Sequence, residues 1–242
     1  MTLRRLFMFV CGTSMLCAQD PAPSSIFTIP IKGSVTEQRG REIVAQIKGV
    51  PASVRTIAVF VDSDGGALPD ILAVADALSG ARVTTVAYVK NAVASAVFIV
   101  ASCDRVVSDR AALLGGAGVV SRDFLCLSDS LFSAVREELT VKLRRYSEQK
   151  HHDSDIFGAM LDHQSSLIRG GRQWKARGEI LSLTADEMVA LGVAESRWDS
   201  LQAFIADLTQ TPNQTPQRNA GSRPSSGDSP VSETPSSLGP RG

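Results

Sequence analysis

Residues 26–31 alternate apolar and polar side chains and stop at Lys32-Gly33, the pattern of a half-buried strand. Thr36 then stands where a helix cap belongs, ahead of Ile43, Val44 and Ile47 at helical spacing. Residues 56–61 form a continuous apolar run rich in β-branched side chains, broken by Asp62-Ser63-Asp64-Gly65-Gly66. Ile71, Leu72, Val74, Ala75 and Leu78 follow as one helix face that ends by Gly80. The unit repeats: residues 82–89 are a second β-branched run, Asn91 breaks it, and residues 92–101 read as a helix of small side chains. A strand over residues 105–107 and a turn at Gly115-Gly116 come next. The C-terminal third reads as helical, with a charged face over residues 139–150 and a capping box at Thr184-Ala185-Asp186-Glu187 opening a short helix that ends at Gly192.

Strands and helices in alternation predict an α/β fold with a largely parallel sheet and right-handed crossovers. In such a sheet the loops after successive strands collect along one edge, where open α/β folds hold ligands. Residues 64–66 and 91–95 leave successive strands and should therefore meet.

The two ends of the 242-residue chain differ from this middle. Arg4-Arg5, the mostly apolar residues 6–17 and Ala18-Gln19-Asp20-Pro21 form the charged, apolar and small-residue segments of a secretory leader, placing cleavage after Ala18 or nearby. The run is short for a transmembrane span, and Leu16 puts a bulky side chain before Cys17 where lipid attachment requires a small one. The expectation is a signal peptide over residues 1–18, an exported periplasmic or extracytoplasmic protein without a transmembrane segment after cleavage, and one domain over residues 24–208. From residue 209 to 242 the chain is mostly Thr, Pro, Gln, Asn, Ser, Gly and Arg, a composition expected to stay disordered.

Charge narrows the function little. Lys plus Arg and Asp plus Glu number 25 each and the basic residues are scattered, so no footprint for nucleic acid appears. Cleavage would remove Cys11 and Cys17, leaving Cys103 and Cys126, which could pair but read better as two buried thiols. His151, His152 and His163 lie in a polar stretch and read as solvated surface; no metal site and no cofactor is expected.

Ser95 is the residue with chemical potential. It follows a strand at the start of a helix, flanked by Ala94 and Ala96, which give access, and a helix N-terminus favours developing negative charge. A serine there can equally cap or pack the helix. Gly65-Gly66 can turn backbone amides toward a carbonyl oxygen, as an oxyanion hole requires, or can simply make a tight turn.

The order of these segments resembles the ClpP/crotonase superfamily, in particular signal peptide peptidase A and the NfeD-type serine peptidases. Asp62-Ser63-Asp64-Gly65-Gly66 is similar to their D-[TS]-P-G-G turn, and residues 88–96 resemble their strand followed by Gly-x-Ala-Ala-Ser-Ala-Gly. Residues 114–120 resemble their Ile-Gly-Ser-x-Gly-Val turn, and residues 178–193 their Leu-Thr-Leu-Thr-Ala-x-Glu-Ala-x-x-x-Gly-Leu segment. The resemblance implies Ser95 as nucleophile, amides at Gly65 and Gly66 as the oxyanion hole, a peptide or membrane-protein-derived substrate, and assembly into a homo-oligomer.

Three departures stand beside it: Asp64 for proline, Asn91 for glycine, and Val97 for the glycine after Ser-Ala. A fixed carboxylate at Asp64 would oppose an oxyanion if it pointed inward. The proton acceptor also differs. In the NfeD-type peptidases the lysine stands about forty residues after the serine, where this chain has Leu131 to Arg136, and the Clp-type histidine would fall near Val119 to Ser121. Arginine does not deprotonate, so Arg136 cannot serve; Lys142 is the nearest later lysine, and a neighbouring subunit is the other source. Lys142 also reads as a solvated charge, and Lys90 should point away from the loop. Two functions remain open on sequence alone, a serine endopeptidase of Ser/Lys type and a crotonase-fold binding or scaffolding module without catalysis; acyl-thioester chemistry suits an exported protein poorly.

Overall fold

The computed structural model describes residues 26–117 and 129–210. The expected leader and nearly all of the expected tail lie outside the described residues; Thr209 and Gln210 close the last helix instead. Strands β1 (Ile26–Lys32), β2 (Thr56–Ser63), β3 (Thr84–Val93) and β4 (Arg105–Gly115) pair in parallel in that order. Between them run helices α1 (Glu37–Lys48), α2 (Leu68–Ser79) and α3 (Val97–Ala101), the last preceded by a 3-10 turn, Ala94–Ala96. Strand β7 (Ser182–Thr184) extends the sheet antiparallel to β4, and β8 (Arg197–Trp198) pairs with β4 in parallel.

The sheet is buried on both faces, which is why its strands read as continuous apolar runs. Ile57, Val59, Val61, Ala87 and Val89 join the main core with Ile71, Val74 and Leu78 of α2. Phe60, Val86, Tyr88 and Val107 turn to the opposite face and pack with Phe204 of α7 (Leu201–Gln210). Thr36 caps α1 by accepting from Arg39 N–H, and Thr184 and Glu187 close the capping box of α6 (Ala185–Ala190). No helix among the described residues is long and apolar enough to cross a membrane.

The C-terminal third is mixed rather than helical. After α4 (Asp129–Gln149) and α5 (Ser154–Ala159), β5 (Leu167–Arg169) and β6 (Arg172–Lys175) form an antiparallel hairpin. Strands of two to four residues carry too little periodicity to be read from sequence. Lys175 is 2 % exposed, and its ammonium donates to Asp162 O at 2.6 Å, Ser165 O at 2.5 Å and Ser165 Oγ at 3.3 Å. Burial holds its pKa below the ordinary lysine value, against the raising effect of Asp162 and Glu179.

His152 also departs from the solvated reading. Its Nε2 lies 2.7 Å from Cys103 O and its ring packs 5.6 Å from that of Phe157. Cys103 itself is a buried free thiol, pushed up to about 12 by burial. Cys126 lies outside the described residues.

Candidate active site

The strand that carries Ser95 runs further than its sequence suggests. After a register shift between Val89 and Asn91, β3 continues, pairing Asn91, Ala92 and Val93 with Leu113, Leu114 and Gly115 of β4. The bulge absorbs the break that Asn91 signals, and the helix begins after Ser95 instead of at Ala92. Ala94 makes the change of direction with φ +51, a left-handed conformation that costs a non-glycine residue about 1–2 kcal/mol. Nothing in an alanine announces such a conformation.

Gly66 faces Ser95 through its backbone. Its N–H donates to Ser95 Oγ at 3.0 Å, and the hydroxyl donates to the Gly66 carbonyl at 3.1 Å. Gly65 contributes differently, because its N–H is spent on Ser63 Oγ at 3.0 Å. What matters at Gly65 is the missing side chain: with φ +94, a β-carbon there would sit 2.3 Å from Ser95 Oγ, 3.0 Å from Ser95 N and 3.2 Å from Ala96 N. Those two N–H groups open the turn and so have no acceptor within it. The structure thus brings Gly65, Gly66 and Ser95 together at the carboxyl ends of β2 and β3.

Sequence reasoning missed how the glycine loop is held. Val35, just past β1, bridges to Gly66, and Val35 N–H donates to Gly65 O at 2.7 Å. The approach is so close that a β-carbon on Gly66 would lie 2.1 Å from Val35 O. Ser63 completes the support by donating to Gly33 O at 2.6 Å.

Asp64 is exposed, and its Oδ1 accepts from Asn91 Nδ2 at 2.8 Å. The carboxylate is therefore tethered to the β3 bulge. Lys90 bonds Asp62 at 2.9 Å with its side chain about half exposed. That hydrogen bond raises the Lys90 pKa, which suits a surface ion pair and not a base.

Helix α4 passes α3 in a fixed register. Lys150 Nζ bonds Asp104 Oδ1 at 2.8 Å just after α3, and the Tyr146 ring meets Phe98 edge-on with centroids 6.5 Å apart. Tyr146 also donates to Asp76 of α2. Lys142 stands one turn before Tyr146, half-buried, without a hydrogen bond or ion pair to another described residue. Arg136 is half-buried further back on the same helix. The Clp-type histidine position, Val119 to Ser121, lies outside the described residues.

Comparison of the sequence with models of known protein families finds no match, and comparison with curated proteins finds none. Solved structures do match. A mutant of the 1510-N membrane-bound stomatin-specific protease with its serine changed to alanine superposes with a TM-score of 0.57 at 13% identity, over 74% of this chain and 82% of that one. A lysine-to-alanine mutant of 1510-N in complex with a substrate peptide gives 0.58 at 12%, over 74% and 77%. ClpP1 from Listeria monocytogenes gives 0.51 at 12%, over 73% and 93%. At these identities the likeness concerns the fold: the chain has the mostly parallel α/β fold of the ClpP-class proteases.

Proposed function

We propose that the protein is an exported serine endopeptidase of Ser/Lys type, in which Ser95 attacks the scissile carbonyl and the Gly66 N–H receives the oxyanion. The observation that carries this reading is the contact between Ser95 Oγ and Gly66 N–H at the end of a strained strand-to-helix turn. Backbone strain of this kind persists where the surroundings enforce it, and it clusters at sites that do chemistry. The attack forms the Oγ–carbon bond, the hydroxyl proton passes to an amine, and the leaving amine takes it back as the acyl-enzyme forms; water then repeats the sequence and releases the acid.

Lys142 is the amine we assign. Its support is the opposite chain direction of α3 and α4. Lys150 sits beside Asp104 and Tyr146 beside Phe98, so stepping back one further turn, about 6 Å along the helix, leads toward the start of α3, which the turn holding Ser95 precedes. Export rests on the leader-like N-terminus, the peptide or membrane-protein-derived substrate on the motifs resembling the peptidases, and a homo-oligomer on the same resemblance.

A second reading draws on one specific observation: the Ser95 hydroxyl donates its hydrogen bond to the Gly66 carbonyl and not to a base among the described residues. This favours a binding or scaffolding module that keeps the groove without catalysis. Labelling by a serine-directed fluorophosphonate separates the two. Ser95-dependent labelling, absent in Ser95→Ala, together with Ser95-dependent hydrolysis of an unstructured peptide, supports the peptidase. Equal background in both proteins supports the binding module.

A further inference from the structure

Asp64 has a place in the site that neither the turn nor the sheet requires. It immediately precedes Gly65, whose missing β-carbon would lie 2.3 Å from Ser95 Oγ. Consecutive Cα atoms are about 3.8 Å apart, so the Asp64 Cα lies no more than about 8 Å from Ser95 Oγ. A bound peptide advances about 3.3 Å per residue, so this distance spans about two residues on either side of the scissile bond.

The charge of Asp64 is held but not neutralised. Its tether is the Asn91 side-chain amide, a neutral donor. The adjacent Asp62 differs, because Lys90 pairs with it at 2.9 Å. Asp64 thus leaves an exposed carboxylate beside the nucleophile with no cation bonded to it among the described residues. Asn91, half-buried at the β3 bulge, fixes one oxygen of this exposed residue's carboxylate and leaves the other without a hydrogen bond among the described residues. Much of the ordering that a charged contact demands is therefore made before any ligand arrives.

Such a charge disfavours the oxyanion formed at Ser95, and most so when the substrate brings nothing to offset it. A cationic side chain next to the scissile bond offsets it and gains a charge-assisted hydrogen bond. We propose that Asp64 makes the Ser95 site selective for peptides with a lysine or arginine within two residues of the bond to be cut. This rests on reading the site as a peptidase, and it adds a substrate class to that reading.

The test uses one unstructured peptide in three versions, with lysine, norleucine or glutamate next to the scissile position. Wild type should show kcat/KM about threefold to fivefold higher for lysine than for norleucine at low salt, and lower still for glutamate. Raising the ionic strength should shrink the ratio. In Asp64→Asn the ratio should fall to about one, chiefly because norleucine and glutamate peptides are cleaved faster. Asp64→Ser is a second neutral variant, and labelling of Ser95 by an uncharged fluorophosphonate shows that each variant is folded. Equal ratios in wild type and both variants would overturn the inference while leaving the peptidase reading intact. If wild type cleaves no faster than Ser95→Ala, the peptidase reading fails, and binding of the same peptides to Ser95→Ala decides the inference. Tighter binding of the lysine peptide, lost in Ser95→Ala with Asp64→Asn, upholds the charge selection; equal binding overturns it.

Discussion

Ser95 Oγ occupies the space that a side chain at Gly65 would need, with 2.3 Å between the hydroxyl and the position of the absent β-carbon. The backbone at Gly65 also has φ +94, which any other residue adopts only with strain. Gly65→Ala should therefore displace Ser95 from Gly66 N–H. We expect a loss of about 1–3 kcal/mol in stability, and a fall of about a hundredfold or more in fluorophosphonate labelling of Ser95. Thermal melting and labelling rates on the purified protein measure both.

Lys142 and Arg136 share α4 and differ in one property that matters for proton transfer. An amine can lose its proton and a guanidinium does not. Lys142→Ala should lower peptide hydrolysis by about a hundredfold to ten-thousandfold, and Lys142→Arg should fail to restore it. Arg136→Ala should retain the hydrolysis rate of wild type. A rate profile from neutral to alkaline pH in the four proteins decides the assignment, and an unchanged profile in Lys142→Ala would remove Lys142 from the mechanism.

Asp104 fixes the end of α4 against the start of β3, accepting from Lys150 Nζ, Thr85 N–H and Thr85 Oγ1, each at 2.8 Å. Partial burial raises its pKa, but the bonds from Lys150 and Thr85 outweigh it, so the carboxyl lies below its ordinary 3.8. A depressed native pKa stabilises the fold above the unfolded value, and the contribution is lost as pH falls through the native one. Asp104→Asn should cost about 1–2 kcal/mol at neutral pH, discounted for an exposed edge of the carboxylate. The difference from wild type should persist down to about pH 4 and close below it, as read by urea denaturation at a series of pH values.

The N-terminal segment predicts a mature protein beginning at or near Gln19. N-terminal sequencing of protein recovered from outside the cytoplasm checks this. Intact Met1 on cytoplasmic protein would overturn it, and a diacylglycerol on Cys17 would replace cleavage after Ala18 with lipid anchoring.

The first half of the fold was legible because its signals are strong and local. Ile57, Ala58, Val59, Phe60 and Val61 are all buried, so β2 is a continuous apolar run, and Thr36 and Thr184 make the caps their positions suggest. The same logic brought residues 64–66 and 95 to one edge, since both follow parallel strands. Legibility ended where a neighbour decides the conformation. Strand β4 runs on through Ser108, Asp109 and Arg110, polar residues that conceal it, and Asn91 marks a bulge inside β3 and not its end. Ala94 takes a positive φ without glycine, and Gly65 turns its N–H to Ser63 and not to Ser95. Neither fact has a composition signal, because each depends on contacts across the sheet edge.

The bridge between Val35 and Gly66 bears on when the site comes into being. Residue 35 follows the first strand, residue 66 the second and residue 95 the third, with about thirty residues between each. No two of them are neighbours along the chain, so their arrangement is non-local and arises only after three parallel strands have paired in register. An unfolded chain carries the serine and both glycines yet has none of the contacts that hold Ser95 against Gly66. The site is written in three distant places and exists only once folding has joined them.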